Sequence, residues 1–326
     1  MTGHDIIVIG ASAGGVEALS KLVVQFPDDL LATVFVVQHV SATARSRLAE
    51  LLDRAGPLPA TLAQDGATFQ QAHIYVAPPD HHLLVEEGNL RVTRGLRENR
   101  VRPAIDPLFR SAALTYGARV VGVILSGLQD DGTAGLLAVK RCGGVTMVQD
   151  PMDALYSEMP RNALTHVEVD HCLPVSKMGA VLYRLTRETA AATPSIPPDI
   201  VAEEEIVEHT GNTVSREEEL GTLVPLTCPD CGGPLWELHN DGLQRYRCRL
   251  GHALTATSLL SGQSEVIEAA LWTAVRTMEE RAHMFTLLAH SRQEQGQEKL
   301  AERYVMQATE LTAHAKHIRQ ILLDNL

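Results

Sequence analysis

Six short apolar runs, set apart by stretches with a helical rhythm, decide what most of this chain can fold into. IIVIG (6–10), TVFVVQH (33–39), HIYVAPP (73–79), RVVGVILSG (119–127), GVTMVQD (144–150) and DHCLPV (170–175) are mostly unbroken in apolar residues. A strand with one wet face alternates polar and apolar residues, whereas an unbroken run belongs to a strand covered on both faces of a parallel sheet. Between the runs, VEALSKLVVQF, SRLAELLDRA, IDPLFRSAALTYG and TAGLLAVKRCG read as helices, the last two ending at a glycine. The expected fold is α/β, a doubly wound, mostly parallel sheet. LLVEEGNLRVTR (83–94) breaks the rhythm with a Glu-Gly-Asn turn between two short strands. It is expected to add an antiparallel β-hairpin to this Rossmann-like sheet.

Composition shifts after about Thr189. The next stretch is rich in Pro, Ala and Glu, with Glu203–Glu205 and Glu217–Glu219 supplying much of the acidity and no sustained apolar face. It reads as a linker, mostly disordered. Past it come a cysteine-bearing segment and two helical stripes. Leu271, Val275, Met278, Ala282 and Phe285 form one, and Leu300, Tyr304, Ala308, Leu311, Ala315, Ile318 and Leu322 the other, with a break near Gln293–Gln297. An antiparallel helical hairpin follows, its stripes forming its own core. The expected organisation is an α/β domain over 1–190, an acidic linker over 191–222, a Cys/His zinc-ribbon-like module over 223–260 and an α-helical hairpin over 261–326.

The net charge of −12 argues against non-specific binding to nucleic acid or anionic lipid. No apolar run reaches the roughly 18 residues of a membrane span, and MTGHDIIVIG lacks the plan of a secretory signal. A cytoplasmic chain without direct membrane insertion is expected. Of the five cysteines, Cys142 and Cys172 stand alone while Cys228, Cys231 and Cys248 cluster, which points to metal more than to disulfides.

The turn after the first run, Gly10-Ala11-Ser12-Ala13-Gly14, fits two patterns at once. G-x-S-x-G presents a nucleophilic serine, and a glycine-rich strand-to-helix turn holds dinucleotides. The dinucleotide fingerprint needs glycine where Ser12 stands and an acidic residue about twenty positions on, where the chain has Gln38-His39. Ser12, His39 and Asp131 each follow an apolar run, so all three are expected at the carboxyl rim of one sheet. Singly, each has an ordinary structural reading, such as a helix cap for Ser12. Together they supply nucleophile, base and orienting carboxylate. Their order along the chain disfavours the α/β-hydrolase fold, which runs nucleophile, acid, histidine. The helix beginning near Gly15 would aim amides, with Ala13 and Gly14 among them, toward an oxyanion.

With these residues in view, a resemblance becomes plain. IIVIGASAGGVEAL, VVQH, YVAPPDHHL, IDPLFRSAA, VILSGLQDDGTAGL, GGVTMVQDP and MPRNAL, spread over residues 4–187, resemble the catalytic domain of the CheB family. The resemblance implies a protein-glutamate methylesterase of bacterial chemotaxis, a serine hydrolase that releases methanol from glutamyl γ-methyl esters on chemoreceptors. It also implies deamidation of receptor glutamines in some relatives. It puts the nucleophile at Ser12, the histidine at His39 and the aspartate at Asp131 rather than Asp130. It implies chemoreceptor cytoplasmic helices, and other chemotaxis signalling proteins, as partners. Ala13 stands where many members have threonine, and Gly127-Leu128-Gln129-Asp130 where relatives often have Gly-Met-Gly-Asn. With a strand starting at residue 6, the chain reads as a standalone form without the amino-terminal receiver domain. The alternative is a catalytically silent module of the same fold that binds receptor tails.

Around the expected site, Leu128, Met159, Arg110 and Arg161 are candidates to contact substrate, the two arginines by meeting carboxylates near the target glutamate. Their competing reading is pairing with this chain's own acids. His81 and His82 are weaker candidates for the rim. Cys228-x-x-Cys231 and Cys248-x-x-x-His252 offer three thiolates and an imidazole, which suits structural tetrahedral zinc. His239 is an alternative ligand, and metal-free cysteines are the competing reading. No cofactor is expected for catalysis. The module is expected to serve as a docking element, so that removing 220–326 would spare hydrolysis of a small ester.

Overall fold

Strand β1 (Ile6–Ala11) is buried along its whole length, and β2 (Thr33–Gln38) and β7 (Val120–Ile124) run parallel to it on either side. The structure is a computed structural model describing residues 3–43, 46–208, 221–238 and 242–324. With β3 (Ala60–Leu62), β4 (His73–Val76), β8 (Val145–Gln149) and β9 (His171–Leu173) these strands form a seven-stranded sheet. Its order is β3-β4-β2-β1-β7-β8-β9, with every neighbouring pair parallel.

The unbroken apolar runs are explained by where alternate side chains go. Ile7, Ile9, Val34, Val36, Val121 and Val123 enter the core under α1 (Gly15–Val23), α2 (Leu48–Ala55) and α6 (Val175–Leu185). Ile6, Val8, Phe35, Val37, Val120 and Ile124 enter the opposite core, under α3 (Ile105–Tyr116), α4 (Thr133–Arg141) and α5 (Glu158–His166). Each such side chain contributes about 1.5–3 kcal/mol relative to exposure.

Two expectations change. The hairpin exists, as β5 (His82–Val85) and β6 (Leu90–Thr93), but it forms its own two-stranded sheet. Its Val85 peptide is satisfied by α3 instead of a strand. Ser111 Oγ accepts from the Val85 amide at 3.1 Å and Thr115 Oγ1 donates to its carbonyl at 3.0 Å. Part of the acidic linker is also ordered, because residues Pro198–Glu208 form helix α7. Ile200 of α7 is buried in the second core and Glu203 is buried beside it; residues 209–220 lie outside the described part.

The cysteine-bearing segment folds into an antiparallel sheet of β10 (Gly221–Thr227), β11 (Pro234–Leu238), β12 (Arg245–Cys248) and β13 (Ala253–Thr255), in that order. Leu235, Tyr246, Leu254 and Leu259 form its interior with Cys228 and Cys248. It is not a body apart from the catalytic core, because one compact unit runs from Met1 to Leu259.

The second unit, Leu260–Leu326, is a hairpin made by all but the first four residues of α8 (Ala256–Glu294) and by α9 (Glu298–Asp324), with Gly296 at φ 71° in the turn. Val275, Ala315 and Leu322 form its core with Leu271, Met278 and Ile318, and Phe285 stacks on Tyr304. Among the described residues no helix is long and apolar enough to cross a membrane.

Candidate active site

In an open parallel sheet, a crevice opens beyond the carboxyl ends of the strands where the winding reverses. Here that point lies between β1 and β7. The chain leaves β1 at Ala11 and turns at once into α1. Ser12 N–H donates to the Ser126 carbonyl at 2.9 Å, and the Gly15 amide closes the turn on Ser12 O at 2.9 Å. Gly14 takes φ 72°, a left-handed conformation that costs glycine least. A Cβ on Gly15 would collide with Gln38, the last residue of β2.

His39 follows β2 directly. Its Nδ1 is 3.1 Å from Ser12 Oγ and its Nε2 is 2.7 Å from Asp131 Oδ2. Asp131 can only accept when ionised, so this contact assigns the proton to Nε2 and leaves a lone pair on Nδ1 facing the serine hydroxyl. In the chymotrypsin arrangement the two ring nitrogens have the opposite assignment. Asp131 is 3% exposed. It also accepts from the Ile105 amide at 2.7 Å, from Asn99 Nδ2 at 2.9 Å and, weakly, from the Asp106 amide at 3.4 Å. It therefore caps the amino end of α3 from a distant part of the chain, where the helix dipole favours a negative charge. Burial pushes its carboxyl up, but His39, the Ile105 amide and Asn99 outweigh that and hold it below the usual range. Asp106 goes the other way, raised well above that range by burial and by the charge of Asp131.

Asp130 faces away, toward Thr255, whose hydroxyl donates to it at 2.8 Å. Among the described residues the Ala13 and Gly14 amides donate to no protein acceptor, and they stand at the amino end of α1 beside Ser12. Leu128 is 44% exposed on the loop after β7. Arg161 is exposed on α5, its Nε donating to Ser157 Oγ at 3.2 Å. Gln129 is held at φ 63°. Glu158 accepts from its amide and Asn162 donates to its carbonyl.

Several candidates move. Arg110 cannot meet a substrate carboxylate, because it is 2% exposed and enclosed by this chain's own acids. Its Nη2 and Nη1 reach Glu98 at 2.8 and 3.2 Å, and its Nε reaches Glu204 at 2.7 Å. Met159 is fully buried; a Cβ added to Gly127 would strike its sulfur and Ser12 Cβ, so it backs the loop instead of lining an open surface. His82 is also fully buried, donating to the Leu96 carbonyl at 2.8 Å and accepting from the Ala104 amide at 3.2 Å. Burial keeps it in its neutral form, with a lowered pKa. His81 Nδ1 pairs with the Pro79 carbonyl.

Other residues at the site escaped the sequence reading. Gln38 Nε2 donates to the Ser12 carbonyl at 2.7 Å and the His39 carbonyl at 3.1 Å, tying the two loops together. Its place just before His39 was the available signal. Ser126 Oγ donates to Ala13 O at 2.8 Å and accepts from the Tyr156 amide at 2.9 Å. Leu155, 70% exposed, lies against Gly14, and Met152 and Tyr156 nearby in sequence are 87% and 42% exposed. Leu155 gives the serine turn an apolar border.

In the module, Cys228, Cys231 and Cys248 Sγ and a nitrogen of His252 all lie within 4.8 Å of one another. Zinc–sulfur bonds of about 2.3 Å imply ligand separations of about 3.8 Å in a tetrahedron. The Cys231–Cys248 sulfur distance of 3.6 Å and the Cys228–His252 distance of 3.8 Å fit that geometry. Two tight turns bring the ligands together, with Gly232 at φ 71° and Gly251 at φ 104°. His239 lies outside the described residues. The donor set fits a metal ion.

A parallel, doubly wound sheet holds serine, histidine and aspartate hydrogen-bonded in line at its switch point, the arrangement of a serine-hydrolase site. Residues 7–182 match the family model described as CheB methylesterase, and the chain belongs to that family. It is 34% identical over 183 residues to a putative protein-glutamate methylesterase/protein-glutamine glutaminase of Leptospira interrogans, covering 56% of this chain and 95% of the relative. It is 36% identical to protein-glutamate methylesterase/protein-glutamine glutaminase 2 of Anaeromyxobacter dehalogenans over 56% of this chain and 54% of the relative. The crystal structure of the Thermotoga maritima CheB methylesterase catalytic domain superposes with a TM-score of 0.54 at 32% identity. That match covers 57% of this chain and all of the other.

Proposed function

We propose that this chain hydrolyses glutamyl γ-methyl esters on chemoreceptor helices, with Ser12 as nucleophile. The observation that carries the reading is the hydrogen-bonded line Ser12–His39–Asp131 in a chain of the CheB methylesterase family. Ser12 Oγ attacks the ester carbonyl while His39 Nδ1 takes its proton. Asp131 keeps the imidazole in the tautomer that can accept it and stabilises the imidazolium that forms. The oxyanion is held by the Ala13 and Gly14 amides at the amino end of α1. His39 then returns the proton to the leaving oxygen, methanol departs, and a glutamyl ester of Ser12 remains. Water, deprotonated by His39, attacks that ester, the acyl–oxygen bond breaks to free the glutamate carboxylate, and His39 returns the proton to Ser12 Oγ. With a glutamine substrate the same steps release ammonia, in keeping with the second activity in the relatives' names.

Leu128, Met152, Leu155 and Tyr156 would receive the apolar face of a receptor helix, and Arg161 its acidic residues. The Cys228, Cys231, Cys248 and His252 set is read as a structural zinc site, since four protein ligands leave no open position for chemistry. A catalytically silent module of the same fold gives no reason for the ordered triad. A serine-directed fluorophosphonate is expected to label Ser12 at a rate that falls by orders of magnitude in His39→Ala. Equal labelling of both proteins would contradict the reading.

A further inference from the structure

The module meets the catalytic core next to the triad, chiefly at Asn99. Asn99, 4% exposed and at φ 49°, sits in the loop before α3. Its Nδ2 spends both hydrogens on buried carboxyl oxygens, Asp131 Oδ1 at 2.9 Å and Asp106 Oδ2 at 2.8 Å. Its Oδ1 accepts from the module, from the Thr255 amide at 3.1 Å and Ser258 Oγ at 3.3 Å. Its own amide donates to the Ala253 carbonyl at 2.8 Å. Every hydrogen-bonding position of the side chain is thus filled, half by the catalytic core and half by the module. The Thr255 hydroxyl adds a second tie, to Asp130, the neighbour of Asp131.

The residues that grip Asn99 follow the proposed metal ligand His252 directly: Ala253 is next in the chain and Thr255 two further on. A buried cluster of three arginines and two glutamates closes the same seam. Arg245 Nη1 contacts both Glu203 oxygens at 2.8 Å, and Arg110 and Arg247 converge on Glu98, the residue before Asn99. Taking charges out of water is costly unless they are paired, and here Glu98 and Glu203 each face at least one buried guanidinium. An orienting carboxylate helps only while it is held in place. A buried group whose hydrogen bonds are all made is held most firmly.

We propose that Asn99 is a positioning residue through which the Cys/His module fastens the triad carboxylate, making the module part of the hydrolytic apparatus and not only a docking element. The inference rests on the methylesterase reading. It also reverses the expectation that residues 220–326 are dispensable for hydrolysis of a small ester.

The test uses the full chain and a short peptide carrying one glutamyl γ-methyl ester. Asn99→Asp keeps the size, the tolerance for positive φ and the acceptor facing Thr255 and Ser258. It replaces the amide that donates to Asp131 and Asp106. Ser258→Ala removes one of the two module donors to Asn99 and touches neither Ser12 nor His39. Asn99→Asp is expected to lower kcat by roughly tenfold to a hundredfold with KM within about twofold, as for other groups that orient a working side chain. Ser258→Ala should lower kcat in the same direction by a smaller factor. The fluorophosphonate labelling rate of Ser12 should fall in parallel, with the melting temperature of Ser258→Ala near that of wild type. Unchanged kcat and labelling rate in both variants would overturn the proposal, as would losses explained wholly by a smaller folded fraction. A wild type no faster than Ser12→Ala on the ester would instead sink the methylesterase reading, and this inference with it.

Discussion

Asp131 keeps its charge in the interior because both of its oxygens are engaged, by His39, the Ile105 amide and Asn99. Asp131→Asn would present an amide to His39 and favour the other tautomer, with the proton on the nitrogen facing Ser12. The expected result is a loss in kcat on the order of 10⁴ with the fold intact, as in other triads; a loss below about tenfold would contradict the role. Glu98 makes a stability prediction. Burial alone would raise its carboxyl, but Arg110 and Arg247 more than offset this and hold it far below the usual range. Glu203 is lowered in the same way, by Arg245 and Arg110 against burial. A depressed folded-state pKa gives stability that is present above the unfolded value, about 4.3 for glutamate. That stability is lost as pH falls through the folded value. The melting temperature of wild type should therefore decline steeply below about pH 4. Glu98→Gln should be destabilised by about 3–5 kcal/mol at neutral pH, since buried guanidinium groups lose a partner, and should decline less steeply in acid. A variant that melts like wild type at pH 7 would contradict this.

At the scale of elements, the sheet was legible because strands covered on both faces cannot alternate, and the six apolar runs do not. Ser12, His39 and Asp131 were legible because each follows one of those runs. Helix α7 was hidden by its composition: Pro, Ala and Glu read as a solvated linker. Its docking depends on Arg110 and Arg245, which lie 94 and 42 residues from their glutamate partners. Arg110 looked like a substrate contact for the same reason, because its true partners are distant in sequence. Asn99 carried no signal at all, lying in a loop without a motif. The turns bearing the cysteines were marked by spacing, and they carry the prediction at this scale. Removing the metal with a chelator, or replacing Cys231 with serine, should release about one zinc per chain and lower the melting temperature. A protein that holds no zinc and melts unchanged would contradict the structural-zinc reading.

For the whole molecule, the division at residues 259 and 260 differs from the composition-based one. Composition separates a catalytic domain from a linker and a module. The fold instead joins residues 1–259 through a buried ionic seam and leaves the helical hairpin as the second unit. Under the proposal for Asn99, the Cys/His module within that first unit serves the triad. The central claim is methyl-ester hydrolysis at Ser12, and it is tested most directly with chemoreceptor cytoplasmic fragments carrying radiolabelled glutamyl methyl esters. Wild type is expected to release labelled methanol, and Ser12→Ala to release it no faster than the fragment alone. Equal release by both proteins, or none by either, would contradict the account.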